Sequence, residues 1–183
     1  MKLPELFGDR LRLRQLVLDD VQNVFDFTSN PSVTEFLSWD AHQDQKKTES
    51  FISHVISTYE DEDAPSQWGI ELVEEGRVIG ITGFISLEKL HERAEIAFIM
   101  SPDYAGKGYM TEANQLVLKY GFESLDLNRI QAKAELGNLG SRKTLTKIGM
   151  KEEGTLIDFL KIKGTFRTYM YFASLKRDYS PKV

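Results

Sequence analysis

The sequence predicts a mixed α+β fold, in which a mostly antiparallel sheet is flanked by helices. The first observation is a run of strands in residues 68–100 joined by short turns, the pattern of antiparallel hairpins. The second is a strand–helix–strand order in residues 93–136, which adds a βαβ unit. The predicted order is β-α-α-β-β-β-α-β-α-β-β. An all-parallel, doubly wound sheet would alternate strands and helices throughout, so that class is excluded.

One strand and two helices account for the N-terminal third. Residues 10–16, "RLRLRQL", alternate charged and apolar side chains with the period of a strand. Residues 17–30, "VLDDVQNVFDFTSN", place apolar side chains at helical intervals after two aspartates, and "NPSV" breaks that helix. Residues 42–60, "HQDQKKTESFISHVISTYE", are typical of an amphipathic helix because their apolar and aromatic side chains share one face.

Three strands and one long helix form the middle of the chain. Residues 68–73, "WGIELV", and 77–87, "RVIGITGFISL", flank a Glu-Gly turn and predict a hairpin. Residues 93–100, "RAEIAFIM", predict a third strand. Residues 110–124, "MTEANQLVLKYGFES", then predict a helix from the spacing of their apolar side chains.

The C-terminal third returns to strands around one short helix. Residues 129–136, "RIQAKAEL", alternate apolar and polar side chains and predict a strand. Residues 138–150, "NLGSRKTLTKIGM", predict a helix that ends at Gly149. Two more strands are predicted in residues 151–162 and 166–175.

The composition indicates an ordinary globular protein and excludes several functional classes. The 183 residues are 41% hydrophobic and 28% charged, which suits one domain with a full core. The absence of cysteine excludes disulfides, thiolate metal sites and a cysteine nucleophile. The formal net charge of -5 argues against a nonspecific nucleic-acid binder. The three histidines have no metal-ligand spacing, so we predict no metal site.

No export or membrane signal is recognisable in the sequence. The opening "MKLPELFGDR" lacks the apolar core of a signal peptide. No apolar run approaches the roughly 18 residues that a membrane-spanning helix needs. We therefore expect a single domain over residues 1–183, in the cytoplasm, with no membrane partner.

A short loop with two glycines, "PDYAGKGYM" at residues 102–110, precedes the long helix. Such a loop suits phosphate binding, because backbone N–H groups at a helix start point at the ligand. A P-loop needs Lys-Ser or Lys-Thr at its end, whereas Tyr109 and Met110 follow the second glycine here. A Rossmann fingerprint needs a third glycine where Thr111 stands, and Asp126 comes too early for its ribose contact. Alone, the loop is also compatible with a plain strand-to-helix turn.

Two motifs in the right order resemble one family. "PDYAGKGYM" resembles the pyrophosphate-binding turn of the GCN5-related N-acetyltransferases, the GNAT superfamily, usually "P-x-Y-R-G-K-G-x-G". Residues 138–154, "NLGSRKTLTKIGMKEEG", resemble its second signature, "N-x-x-S-x-x-x-x-x-K-x-G-F-x-x-E-G". The start and the last third of the chain are similar to the Rim-type subgroup, which contains ribosomal-protein N-terminal acetyltransferases. The resemblance therefore covers nearly the whole chain.

The resemblance implies a splayed GNAT sheet and an acetyl-CoA-dependent N-acetyltransferase. A primary amine would attack the thioester directly in a ternary complex. The Rim-type subgroup points to a protein N-terminal α-amine, of the ribosomal kind. Small-molecule amines such as polyamines, amino acids or antibiotics are one alternative, and a non-catalytic acyl-CoA-binding module is another. A homodimer is compatible with the resemblance, but the sequence does not define the oligomeric state.

The resemblance also implies a set of acetyl-CoA contacts. The strand before the loop would supply a backbone N–H to the reacting carbonyl oxygen, and the loop with the following helix start would cradle the pyrophosphate. The second signature would add side chains along the pantetheine arm. The implied contacts are Phe98, Ile99, Met100, Tyr104, Ala105, Gly106, Lys107, Gly108, Tyr109, Met110, Thr111, Asn138, Ser141 and Lys143.

Two side chains are candidates for proton transfer. Glu95 lies in "AEIAF", which resembles the strand that carries the catalytic base in histone-acetylating members. The alternative is a surface glutamate paired with Arg93 or Lys133. Ser141 matches a serine that Rim-type relatives place near the CoA sulfur as a proton donor, and it also suits the N-cap of its helix.

The acceptor site is the least defined part of the prediction. Phe36 and Trp39 lie between the two N-terminal helices, a region that borders the acceptor cleft in this fold, and core packing is their alternative role. In the loop, Ala105 stands where the wider family has Arg or Gln. Ile157 and Thr168 replace an Arg and an Asp that the subgroup often carries near the acceptor. Met110 stands in the loop where the family has a small residue. The changes at Ala105 and Met110 leave backbone cradling of the pyrophosphate possible.

Overall fold

The computed structural model describes residues 3–61 and 64–180, and the other positions of the predicted 1–183 domain lie outside the described residues. The strands are β1 Leu6–Phe7, β2 Leu11–Arg14, β3 Gln67–Leu72, β4 Arg77–Glu88, β5 Arg93–Met100, β6 Arg129–Glu135, β7 Lys151–Ile162 and β8 Thr165–Leu175. The helices are α1 Val21–Thr28, α2 Pro31–Thr34, α3 Gln45–Ser57, α4 Tyr109–Lys119 and α5 Leu139–Lys147.

All eight strands form a single sheet in the order β1-β2-β3-β4-β5-β6-β8-β7. Only β5 and β6 are parallel, and every other neighbouring pair is antiparallel. The parallel pairing joins residues 93–95 to 129–131 and stops there. Beyond Glu95 the two strands diverge, which opens a wedge in the middle of the sheet. The predicted splayed, mostly antiparallel sheet is thereby confirmed.

Strand β4 is the centre of the core. Its side chains from Val78 to Phe84 are all buried. Because successive side chains of a strand point to opposite faces, both faces of the sheet are covered here. Helices α1 and α4 both pack against β4.

The C-terminal hairpin of β7 and β8 extends beyond the core. Strand β7 is an edge strand, and its residues are almost all exposed. At the hairpin tip, the Lys163 ammonium donates a hydrogen bond to the carbonyl oxygen of Thr34 at 2.8 Å. This contact ties the tip to α2. Residues 36–39, just after α2, and residues of the hairpin line one cleft.

Three local features differ from the sequence-based expectation. Strand β1 was not predicted. The long helix predicted over residues 110–124 is α-helical only to Lys119 and continues as a π-helical turn, Tyr120–Ser124. The expected break at "NPSV" instead contains α2, because the Asn30 side chain caps it by accepting from the Ser32 N–H at 3.0 Å.

Asn114 anchors α4 to β4 through a fully buried polar pair. Its side-chain oxygen accepts from the Thr82 hydroxyl at 2.9 Å, and its amide donates to the Met110 carbonyl at 2.9 Å. We expect Asn114→Ala to lower the free energy of unfolding by about 1–3 kcal/mol, because buried polar groups lose their partners. Urea denaturation measures this loss. Lys119→Ala, exposed on the same helix, should change stability by less than about 0.5 kcal/mol, and equal losses would contradict the assignment.

Candidate active site

Two adjoining clefts meet at the end of β5. The loop cleft lies between the residue 105–111 segment, the start of α5 and the end of β5. The strand cleft lies along β5 and β6, between residues 36–39, which follow α2, and the β7–β8 hairpin. Both clefts are lined by Phe36, Leu37, Phe98 and Ile99. The two clefts therefore adjoin beside the wedge between β5 and β6.

The loop presents a row of unpaired backbone amides. Gly106 and Gly108 have φ values of 78° and 84°, a left-handed conformation that favours glycine. Among the described residues, no acceptor pairs with any amide N–H from Gly106 to Thr111. The α4 helix begins at Tyr109, so its positive end adds to the same field. Amides and helix end together form a cradle for an anion that carries several oxygens.

This cradle is shorter than the sequence predicts. The Tyr104 N–H donates to the Ser101 carbonyl at 3.2 Å, and the Ala105 N–H donates to the Pro102 carbonyl at 3.0 Å. Both amides are used inside a 3-10 turn, so they are not available to a ligand. Of the two residues, only Ala105 lines the loop cleft.

The side chains of three predicted ligand contacts also contact other parts of the protein. The Tyr104 hydroxyl donates to the Glu75 carboxylate, and the Lys107 ammonium lies 5.3 Å from the Tyr104 ring centroid. The Tyr109 ring lies under the Arg10 guanidinium, with its centroid 4.4 Å away. Tyr104, Lys107 and Tyr109 do not line the loop cleft, and a contact of these side chains with a ligand stays a prediction.

Arg10 is a support that sequence reasoning missed. Its Nε donates to Glu112 Oε2 at 2.8 Å, and its backbone N–H donates to Glu112 Oε1 at 2.8 Å. Its Nη1 donates to the Lys107 carbonyl at 3.0 Å. One side chain thus fixes both the loop and the first turn of α4. No local pattern in the sequence predicts this contact, because Arg10 and Glu112 are 102 positions apart.

The start of α5 closes the loop cleft on its other side. Asn138 is the N-cap, since its side-chain oxygen accepts from the Ser141 N–H at 3.0 Å. Capping was one predicted role for both Asn138 and Ser141, and the structure shows it for Asn138. The Ser141 hydroxyl has no hydrogen-bond partner in the described part of the chain, and it lines the loop cleft with Lys143.

Strand β5 directs specific amides into the wedge. The Ser101 N–H donates to the Ile79 carbonyl at 2.9 Å, which makes this a hydrogen-bonded pair of the antiparallel ladder. Such pairs alternate along the strand. The register pairs Ile99 with Ile81 and Phe98 with Thr82. The Ile99 amide therefore faces β4, whereas the amides of Phe98 and Met100 face the side where β6 has diverged.

Glu95 lies in the strand cleft beside a cation. Its side chain is 12% exposed and forms an ion pair with Lys133. The Gln131 side-chain amide donates to its other oxygen at 3.3 Å. Arg93 pairs with Glu88 instead. Of the two predicted ion partners, the structure thus shows Lys133 and not Arg93.

Comparison with known proteins agrees with this geometry. The acetyltransferase (GNAT) domain family matches residues 10–151, which is most of the chain. The chain belongs to the GNAT family. As a GNAT enzyme it is an acetyl-CoA-dependent N-acetyltransferase, with acetyl-CoA as its co-substrate. The predicted family and activity are therefore confirmed.

Three GNAT relatives and one solved GNAT structure are similar to this chain along nearly its whole length. The uncharacterised N-acetyltransferase p20 of Bacillus licheniformis is 34% identical over 96% of this chain and 98% of its own. YdaF of Bacillus subtilis, provisionally named a ribosomal N-acetyltransferase, is 31% identical over 93% and 88%. The spermidine N(1)-acetyltransferase of Escherichia coli is 28% identical over 92% and 88%. The structure of a GNAT acetyltransferase from Bacillus anthracis has a TM-score of 0.85 and 26% identity, covering 95% of this chain and 99% of that chain.

Both residues predicted to contact the acceptor, Phe36 and Trp39, line the strand cleft of this GNAT domain. The Trp39 ring lies 5.0 Å from the His42 ring and 6.3 Å from the Phe51 ring, measured between centroids. His42 is buried, and its Nδ1 is 2.8 Å from the Thr48 hydroxyl. The Trp39 ring is thus packed against the rings of His42 and Phe51.

His42 makes the stability of this support depend on pH. Burial, and then the nearby Lys47 charge, lower the pKa of His42 below its ordinary value of 6.5, against a smaller opposing effect of Asp44. Below about pH 6.5 the unfolded chain binds a proton that the folded chain does not, so stability falls as the pH decreases toward the folded pKa. Urea unfolding at pH 7.5 and 5.5 should show a larger loss for wild type than for His42→Gln. Equal losses would show that His42 does not contribute.

Two searches of the described residues bear on other classes of site. In residues 3–61 and 64–180, no three His, Asp or Glu side chains are grouped as a metal site requires. None of the described helices combines the length and the apolar character needed to cross a membrane.

Proposed function

We propose that residues 1–183 form one acetyltransferase domain that acetylates the N-terminal α-amine of a protein, of the ribosomal kind. The observation that carries this proposal is the row of unpaired amides from Gly106 to Thr111, in a cleft that adjoins the cleft lined by Glu95. The cradle suits a pyrophosphate, and an acyl-bearing arm would extend from it along the end of β5 toward Glu95. The residues present thus fit acetyl-CoA, which supplies the acetyl thioester when bound.

The loop cleft would hold and orient the co-substrate. Amides 106–111 would donate hydrogen bonds to the pyrophosphate, and Lys143 and Asn138 would lie along the rest of the molecule. The amides of Phe98 and Met100, turned into the wedge, would stabilise the negative charge that develops on the acetyl carbonyl oxygen. The unpartnered Ser141 hydroxyl would give its proton to the departing sulfur.

The strand cleft would hold the amine and remove its proton. An attacking amine must be neutral, and a protein α-amine has a pKa near 8, so a base of modest strength suffices. Glu95 is the carboxylate that lines this cleft, and the incoming amine would take the place of Lys133 at one of its oxygens. The neutral amine would add to the carbonyl carbon, placing negative charge on the oxygen, and its nitrogen would pass a proton to Glu95. The carbon–sulfur bond would then break as the carbonyl re-forms, and the sulfur would take the Ser141 proton, which solvent replaces.

Two assays in sequence test this proposal. Acetyl-CoA should raise the melting temperature in a concentration-dependent way, since a ligand that binds only the folded state stabilises it. Release of CoA thiol should then accelerate with peptides that carry a free N-terminus, and not with the same peptides N-acetylated. No stabilisation at millimolar acetyl-CoA would contradict the proposed site. Stabilisation without thiol release by any peptide or small amine would favour a binding module over an enzyme.

The spermidine relative motivates polyamines as a second acceptor class. The same thiol-release assay with spermidine compares the two classes directly. The apolar walls and the paired charges of the strand cleft favour one of these acceptor classes over the other.

A further inference from the structure

We propose that the strand cleft selects an amine attached to a bulky apolar group and rejects polyamines. This inference rests on the proposed function at the same site and defines its acceptor more narrowly. Two properties of the cleft carry it, the chemistry of its walls and the pairing of its charges.

The walls of the strand cleft are mostly aromatic and aliphatic. Side chains come from the segment after α2, from α3, from β4 and from the C-terminal hairpin. The principal ones are Phe36, Trp39, Phe51, Ile81, Ile85 and Leu160. These walls offer apolar surface to a ligand, and burying apolar surface is the main favourable term in binding such a group.

Ile85 is the wall residue most open to a ligand. It lies where the β4–β5 register shifts between Phe84 and Ser86, so it stands outside the regular ladder. It is 43% exposed although its side chain lines the cleft. Trp39 lines the same cleft, and its ring packs against the rings of His42 and Phe51. A cleft that combines an aromatic ring with an exposed isoleucine suits a large apolar side chain better than that of serine or alanine.

The charges of the strand cleft are already paired. Among the described residues that line it, Glu95 is the single carboxylate and Lys133 is its partner. Two carboxylates close along the chain to lining residues also have cations nearby. Asp40, which follows Trp39, has Lys163 at 3.4 Å, and Glu135, on the same strand as Lys133, has Arg167 at 3.1 Å from one oxygen, while its other oxygen is buried with no hydrogen-bond partner among the described residues.

A polyamine would therefore meet an unfavourable site. Its reacting nitrogen would reach Glu95, but its further ammonium groups would lie against aliphatic walls with no carboxylate to receive them. An unpaired charge in apolar surroundings is strongly disfavoured. A monoamine with an apolar neighbour carries no such group. The same cleft thus favours one acceptor class and disfavours the other.

The test compares acceptors that differ only at the amine-bearing residue. Peptides of one sequence beginning with Phe, Leu or Ser, and spermidine, are assayed for kcat/KM by thiol release at saturating acetyl-CoA. We expect the Phe and Leu peptides to exceed the Ser peptide by about 10-fold or more, the scale of apolar pocket discrimination. Spermidine should be turned over at least about 10-fold more slowly than the Phe peptide.

Two variants locate the selectivity in the cleft. Trp39→Ala should lower kcat/KM for the Phe peptide about 10-fold more than for the Ser peptide. Ile85→Glu places an unpaired carboxylate in the cleft, so it should raise spermidine turnover about 10-fold and lower that of the Phe peptide. Leu90→Glu, at a position 90% exposed and outside both clefts, is the matched control and should change neither.

The outcomes separate this inference from the proposed function. If the Ser peptide is the best acceptor, the inference is wrong while the proposed protein N-terminal acceptor stands. If spermidine is the best acceptor, the inference and the proposed acceptor class are both wrong. If no peptide accelerates thiol release, the proposed function fails. The melting temperature with and without acetyl-CoA checks that each variant is folded. Ile85→Glu alone still decides the charge argument if Trp39→Ala does not fold, and unchanged spermidine turnover in it would overturn that argument.

Discussion

Replacing Gly108 with alanine is expected to weaken acetyl-CoA binding by roughly 10- to 100-fold. Gly108 has a φ of 84° and is the N-cap of α4. A residue with a Cβ in that conformation carries about 1–3 kcal/mol of strain. The loop would relax to relieve it, and binding would then have to restore the aligned amides. Isothermal titration with acetyl-CoA, or with CoA, measures the change.

The matched control for this substitution is Gly164→Ala. Gly164 has a φ of 83° at the tip of the β7–β8 hairpin, and it lines neither cleft. The two substitutions impose similar backbone strain, so they should cost similar stability. Only Gly108→Ala should lose acetyl-CoA affinity. Equal affinities in the two variants would remove the loop from the proposed binding site.

Replacing Glu95 with glutamine is expected to lower kcat by roughly 10²–10⁴-fold, the usual contribution of a positioned base. Acetyl-CoA affinity should remain within about 3-fold of wild type, because Glu95 lines the strand cleft and not the loop cleft. The variant should recover part of its rate as the pH rises, since more of a free α-amine with a pKa near 8 is then neutral. Steady-state kinetics from pH 6.5 to 9.5 measure both effects.

Lys133→Gln distinguishes a catalytic glutamate from a structural ion pair. It removes the partner cation and keeps the carboxylate, so turnover should fall by less than about 10-fold if Glu95 acts as the base. A large and equal loss in both variants would indicate that the ion pair itself maintains the cleft. Unchanged turnover of Glu95→Gln at neutral pH would show that Glu95 is not the base.

Much of the fold was predictable because it depends on local patterns. The period-two alternation of residues 129–136 and the Glu-Gly turn before β4 each predict an element that the structure contains. The capping residue Asn138 lies at a position that favours helix starts. The splay between β5 and β6 is different, since it entered only through the resemblance to GNAT proteins. The alternation of side chains along a strand does not predict how far two parallel strands remain paired.

The features that escaped prediction depend on distant contacts. Lys163 reaches the Thr34 carbonyl, a partner 129 positions away. The π-helical turn after Lys119 likewise continues a segment whose sequence has ordinary helical spacing. In each case the tertiary fold, and not the local sequence, decides the outcome.

Because Arg10 contacts Glu112, 102 positions away, the amide cradle is held in place only once the N-terminal segment has joined the sheet. During synthesis the cradle residues emerge long after Arg10, and they acquire their support only when that earlier segment has paired with β3 beside β4. A fragment that begins after Arg10 would contain every cradle amide and still lack what holds them. A substitution that prevents the first strands from pairing is therefore expected to lower acetyl-transfer activity, although it changes no residue that lines either cleft.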